Sequence, residues 1–190
     1  MRGNNTRVRS LFVVSLLAIV PTLAFSQTPI ENVVAPGGKV VYYIMQMPGT
    51  DAEGNPNVAI EEARNQNRSF RTLVASRPSD DPKQNLSSFS HLTLSPDGKL
   101  LYFQTPAWAT SNAIHAINLV DGRVLYITSG ALACVVLSGE YQGNLIVEQH
   151  RYFIQGGSHD DLWLFTPLGK QIGQVAQGAD ASKVCPTVEK

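Results

Sequence analysis

The sequence predicts an all-β fold of antiparallel four-stranded, blade-like units, and three observations carry that reading. Short alternating or β-branched stretches recur, whereas no long segment of 3.6-residue periodicity follows residue 26. Turn formers punctuate these stretches: 15 Gly and 11 Pro stand against 16% charged residues, which suits short strands better than long helices. One stretch, His91 to Ser129, shows a complete unit. Leu92 and Leu94 alternate into Ser95-Pro96-Asp97-Gly98-Lys99, where Pro fixes φ, Asp bonds back to the backbone and Gly supplies a positive φ, so the chain reverses. Leu100–Gln104 follows as a second strand and Ala113–Leu119 as a third. Asp121-Gly122 then makes a two-residue hairpin turn into Arg123–Ile127.

Taken in order, the chain opens with Arg2, Arg7 and Arg9, no acidic residue, and an apolar run from Leu11 to Val20. This is the pattern of a secretory leader over residues 1–26, with Ala24-Phe25-Ser26 placing cleavage between Ser26 and Gln27. The apolar run is short of the roughly 20 residues that a spanning helix needs. Export implies a periplasmic or secreted protein. Taking the leader's three arginines from the 15 basic residues leaves 12 against 15 acidic ones, a balance that argues against a nucleic-acid partner.

Residues 27–180 then form the folded domain, with residues 181–190 as a tail. Val33-Val34, the turn Pro36-Gly37-Gly38-Lys39 and the strand Val40–Met45 repeat the logic of the complete unit, PGGKVVYY beside PDGKLLYF. Thr50–Asn67 is polar and reads as an insertion, with a helix-compatible piece at Val58–Arg64, before Arg68–Ala75 returns as a strand. Beyond the complete unit, Leu132–Leu137, Asn144–Glu148, Arg151–Gln155, Leu162–Phe165 and Gln171–Val175 read as strands of a third, degenerate unit. Two cysteines without CxxC spacing, Cys134 and Cys185, are expected to form one disulfide in an oxidising compartment and pin the tail; the alternative is two separate thiols.

The unit His91–Ser129 resembles a blade of the TolB-type, WD40-like periplasmic β-propellers, in which Ser-Pro-Asp-Gly-Lys separates the first two strands and an Asp-Gly turn joins the last two. Its span of about 40 residues is that of a propeller blade. The resemblance implies a mostly non-enzymatic protein that presents a surface to an envelope partner. Three units are too few for a closed ring of the usual four to about eight blades. A homodimer, a capped open stack or a sandwich would each cover the end sheets, and the tethered tail favours a monomeric stack or sandwich.

The candidate site residues follow from this scaffold. Trp108 in the loop Pro106–Asn112 is expected to be an exposed contact anchor, whereas Trp163, alternating with Phe165, should be core. The segment Gln104–Asn112 and the segment Gln155–Asp161, with His159 and Asp160, each follow an aromatic pair, Tyr102-Phe103 and Tyr152-Phe153. Both are therefore read as second-to-third-strand connections emerging at one end, with Gly49–Asn67 as a longer flap beside them. Glu148, His150, His159, Asp160 and Asp161 are residue types that bind metals, but no HExxH or His-x-His spacing gathers them, and no metal or cofactor is expected. Gly156-Gly157-Ser158 and Ser138-Gly139 read as turns, and His91 and His115 as strand ends. The function expected is that of an exported, non-enzymatic binding or scaffold protein of the cell envelope. An exported enzyme inhibitor or a weak metal-dependent hydrolase is the alternative.

Overall fold

The computed structural model describes residues 27–64, 69–108, 111–178 and 180–185. The leader lies outside them. Three four-stranded antiparallel sheets follow one another in sequence. Sheet one holds β1 (Thr28–Val34), β2 (Val40–Thr50), β3 (Pro56–Arg64) and β4 (Phe70–Ala75). Sheet two holds β5 (Ser90–Leu94), β6 (Leu100–Trp108), β7 (Ser111–Asn118) and β8 (Val124–Ser129). Sheet three holds β9 (Ala131–Val135), β10 (Leu145–Tyr152), β11 (Ser158–Phe165) and β12 (Gln171–Gln177). Within each, strands pair with their sequence neighbours, and the opening strands of successive sheets lie together, β1 beside β5 and β5 beside β9. That is the propeller-like arrangement of an all-β fold.

Sheet two is the middle layer. Because side chains alternate across a strand, Leu101, Phe103 and Ile117 join Tyr42, Ile44, Val58 and Ile60 in a core with sheet one. Tyr102, Ile114 and Ala116 join Leu132, Leu145, Val147 and Phe165 in a core with sheet three. Polar bonds tie the same interfaces: the Glu31 carboxylate accepts from the His91 and Leu92 amides, and the Tyr102 hydroxyl donates to the Pro167 carbonyl. His115 is inside the first of these interfaces, buried in mid-strand and stacked on Phe103, with Tyr126 edge-on to it. The expectation of a strand-end histidine is therefore corrected.

The turns form as their residues dictate. Ser95 donates to Asp97 Oδ1, which also accepts the Lys99 amide, and Gly98 holds φ 67°. The Cys134–Cys185 bond is present, with Cα atoms 5.9 Å apart. It anchors the short 3-10 turn Ala181–Lys183 on the face of sheet three turned away from sheet two, where Ile146 and Leu162 are buried.

The insertion expected at Thr50–Asn67 is corrected. Its helix-compatible piece is β3, paired along Val40–Gln46 of β2, and only residues 51–55 connect the strands. The flap is a tight turn in which Asp51 Oδ1 accepts the Glu53 and Asn55 amides. The strand escapes a hydrophobic pattern because it buries two carboxylates, Glu61 and Glu62. Burial raises Glu62, but hydrogen bonds from the Arg64 and Arg71 guanidiniums outweigh that and hold it below its ordinary value.

Candidate functional site

The β6–β7 and β10–β11 connections lie at one end of the molecule, and the site is built between them. Strand β6 runs on to Trp108, which pairs with Ser111 of β7, so Trp108 closes a strand instead of sitting mid-loop. Its exposure, 61%, is as expected for a contact anchor. Across from it β10 is one strand from Leu145 to Tyr152; the strand expected at Arg151–Gln155 is instead the end of β10 and the turn 153–157. The turn is Phe153-Ile154-Gln155-Gly156-Gly157, with the Phe153 amide donating to the Gly157 carbonyl. Tyr152, Phe153 and Ile154 are 69%, 52% and 107% exposed, an apolar tip beside a tryptophan.

Gln155 is in that exposed turn, in the connection where the segment Gln155–Asp161 was expected to begin. His159 and Asp160 are not in a loop: they belong to β11, which begins at Ser158. Alternation then divides the acidic and histidine residues between two faces. His150 and Asp160 are cross-strand partners, and with Glu148 they share one face; His159 and Asp161 point to the other. His150 Nδ1 donates to Asp160 Oδ1 at 2.7 Å. On the opposite face His159 stacks on Phe153, ring centroids 4.6 Å apart, with Nε2 3.3 Å from Asp161 Oδ1. The five groups therefore cannot converge on one point, and among the described residues no three His, Cys, Asp or Glu are placed to hold a metal ion.

Gln104 is corrected more sharply. It is buried, and its Oε1 accepts from Asn112 Nδ2 at 3.1 Å and from the Leu132 amide, so it bridges sheets two and three instead of meeting a partner. Asn112, half-buried in β7, is the other half of that bridge. Trp163 packs against the second core only partly, with the Arg151 guanidinium 5.3 Å from its ring centroid.

A hollow of about 320 Å³ lies between these parts, bounded by Trp108, Asn112, Gly130, Glu148, His150 and Asp160. A second depression of about 290 Å³ shares Trp108, Gly130 and His150 and reaches Arg151 and Tyr152. Gly130 is the floor: a Cβ there would lie 2.6 Å from the Glu148 carbonyl oxygen, and its φ of +130° is one L side chains rarely adopt. Glu148 was singled out in the sequence only as one of several metal-type residues. Burial, then the charges of Asp160 and Asp180, raise its carboxyl above the ordinary value, against the opposite pull of His150. At the other end of the molecule a cavity of about 330 Å³ is lined by turn residues such as Ser95 and Asp97, whose polar atoms already bond to one another. Among the described residues no helix is long and apolar enough to cross a membrane.

No family model and no curated protein matches this chain. Among solved structures, TolB from Acinetobacter baumannii is similar with a TM-score of 0.46 and 13% identity, over 77% of this chain and 32% of that one. A candidate 6-phosphogluconolactonase from Bacteroides fragilis NCTC 9343 is similar with a TM-score of 0.41 and 16% identity, over 77% of this chain and 37% of that one. The chain thus spans about a third of the length of each structure it is similar to.

Proposed function

We propose that this chain is an exported, non-enzymatic binding protein of the bacterial envelope, a TolB-like propeller-type scaffold that engages another protein through the Trp108 end. The observation that carries the reading is the placement of Trp108 beside the exposed tip Tyr152-Phe153-Ile154, on connections between rigid strands. Isolated exposed apolar residues are ordinary, but a tryptophan grouped with three more apolar residues around a hollow has the composition of a contact anchor. Export is supported by the leader pattern and by the disulfide, a bond that persists in oxidising compartments.

The test is affinity capture from envelope extract with the full chain, with Trp108→Ala and with Leu168→Ala as the control at the opposite end, where Leu168 is also exposed. Trp108→Ala is expected to weaken capture by about 2 kcal/mol or more, as loss of an interface aromatic does, with an unchanged melting temperature. Leu168→Ala should capture normally. Undiminished capture by Trp108→Ala would move the interface elsewhere, and a marked fall in its melting temperature would make Trp108 a structural residue.

A further inference from the structure

Resting on that reading, we infer that the hollow between Trp108 and the Glu148–His150–Asp160 face receives the cationic head of a lysine or arginine side chain from the partner polypeptide. Its size is the first reason. About 320 Å³ is at the bottom of the range in which whole small ligands are buried, and suits one side-chain head better than a cofactor.

Its chemistry is the second reason. An indole presents a negative π face that attracts ammonium and guanidinium groups. Opposite it stand two carboxylates, and Glu148, although half-buried, takes no hydrogen bond or ion pair among the described residues. A partner that covers this carboxylate must bring a donor or a cation to offset the hydration it removes.

The charges around the hollow leave this demand unmet. Asp160 is occupied by His150, and Asp180 adds a further negative charge beside Glu148. Lys183 interacts with Asp180. Arg151 is directed to the other face of the sheet, where it donates to Gln149 Oε1 at 3.1 Å and lies over the Trp163 ring. An anionic ligand would meet carboxylates, and a purely apolar one would leave Glu148 desolvated without a partner. The apolar tip Tyr152-Phe153-Ile154 next to the hollow would then cover the neighbouring side chains of the same partner segment.

The experiment titrates the isotopically labelled full chain with N-acetyl-lysine methylamide and N-acetyl-arginine methylamide, following the Trp108 indole resonance by NMR. The neutral near-isosteres, the norleucine and citrulline methylamides, are titrated in parallel. Saturable shifts are expected for the cations, about tenfold weaker binding for the neutral probes, and weakening by added salt. Glu148→Gln is expected to weaken lysine binding by about tenfold without unfolding the chain. Should that variant be unstable, Trp108→Ala carries the same expectation. Equal binding of norleucine and lysine, absence of a saturable shift, or unchanged lysine binding in both variants would overturn the inference. If capture from the extract still depends on Trp108 in that event, the cation is wrong and the binding face stands; if capture is independent of Trp108 as well, both fall.

Discussion

Acidification should destabilise this protein through His115, and the size of the effect can be worked from its surroundings. The imidazole is 1% exposed, held between Phe103 at 5.4 Å and Tyr126 at 5.8 Å, and its Nε2 has no hydrogen-bond partner. Burial therefore lowers its value from 6.5 to about 4. Since the folded value is the lower one, the unfolded chain binds the proton more readily. The neutral ring's contribution is complete above the unfolded value and is lost as the pH falls from about 6.5 toward 4. At about 1.4 kcal/mol per unit of pKa difference, going from roughly pH 7 to pH 4.5 should cost about 2.5 kcal/mol. For a domain of this length that corresponds to a melting temperature lower by about 5–10 °C. The measurement is urea denaturation across this pH range for the wild type and His115→Phe. Phenylalanine keeps a ring between Phe103 and Tyr126 but cannot titrate. The other acid-sensitive groups, Glu62 held low by its arginines and Glu148 raised by burial, are common to both proteins and cancel in the difference. The variant's stability should be flatter by about the stated amount. Parallel pH curves would refute the claim that a buried neutral histidine sets the acid limit.

Replacing both Cys134 and Cys185 by Ser should lower stability by about 2–4 kcal/mol, since their bond closes 51 residues of sequence, and urea midpoints would read it. An unchanged midpoint would mean that the tail is held by other contacts. Gly169→Ala should cost about 2–3 kcal/mol, because φ is +89° and the new Cβ would meet the Ile127 carbonyl oxygen at 2.3 Å. Gly139→Ala, at a similar φ of +83° but with open space around it, should cost only the backbone strain, about 1 kcal/mol. Equal losses at the two glycines would show that close approach of β8 to the β11–β12 turn is not what constrains position 169.

The parts of the fold legible in the sequence are those decided locally. Ser95-Pro96-Asp97-Gly98 specifies a reversal within a few residues and closes its hairpin there. Asp121-Gly122 also marks a reversal, but as the end of the longer loop 119–122, closed by the Asn118 amide on the Arg123 carbonyl, instead of the two-residue turn expected. The exposure of Trp108 was legible because the polar, Pro-containing segment around it leaves no apolar face to bury it. The illegible parts depend on distant partners. Glu61-Glu62 looks like solvated insertion until Arg71 on the next strand neutralises Glu62, and Gln104 looks like a contact residue until the Leu132 amide of the next sheet meets it. In the same way Tyr152-Phe153 copies the composition of Tyr102-Phe103 but not its place. One pair is at a strand end and exposed, the other in mid-strand and buried, because the stretch of β10 paired with β9 is spent before Tyr152 is reached.

That last difference also explains why a hollow exists at this end. Strand β9 begins at Ala131, opposite Glu148, so Gln149 to Tyr152 of β10 have no β9 partner and a notch is left where one would run. Sheet two reaches the notch through Gly130, whose missing side chain lets the β8–β9 connection pass against Glu148 and Val147, while Gln149 Nε2 donates to the Ser129 carbonyl and fixes the rim. Trp108, at the tip of β6 on the neighbouring sheet, supplies the opposite wall. The cavity among the turns at the other end is lined differently. Ser95 Oγ accepts the Leu100 amide, and Gly169 lies against Ile127, so the polar groups there are satisfied within the scaffold. A short first strand on the third sheet thus leaves, at one end of the stack, a carboxylate with no hydrogen bond or ion pair among the described residues beside an exposed indole. On the proposed reading, this is the end at which a partner has something to add.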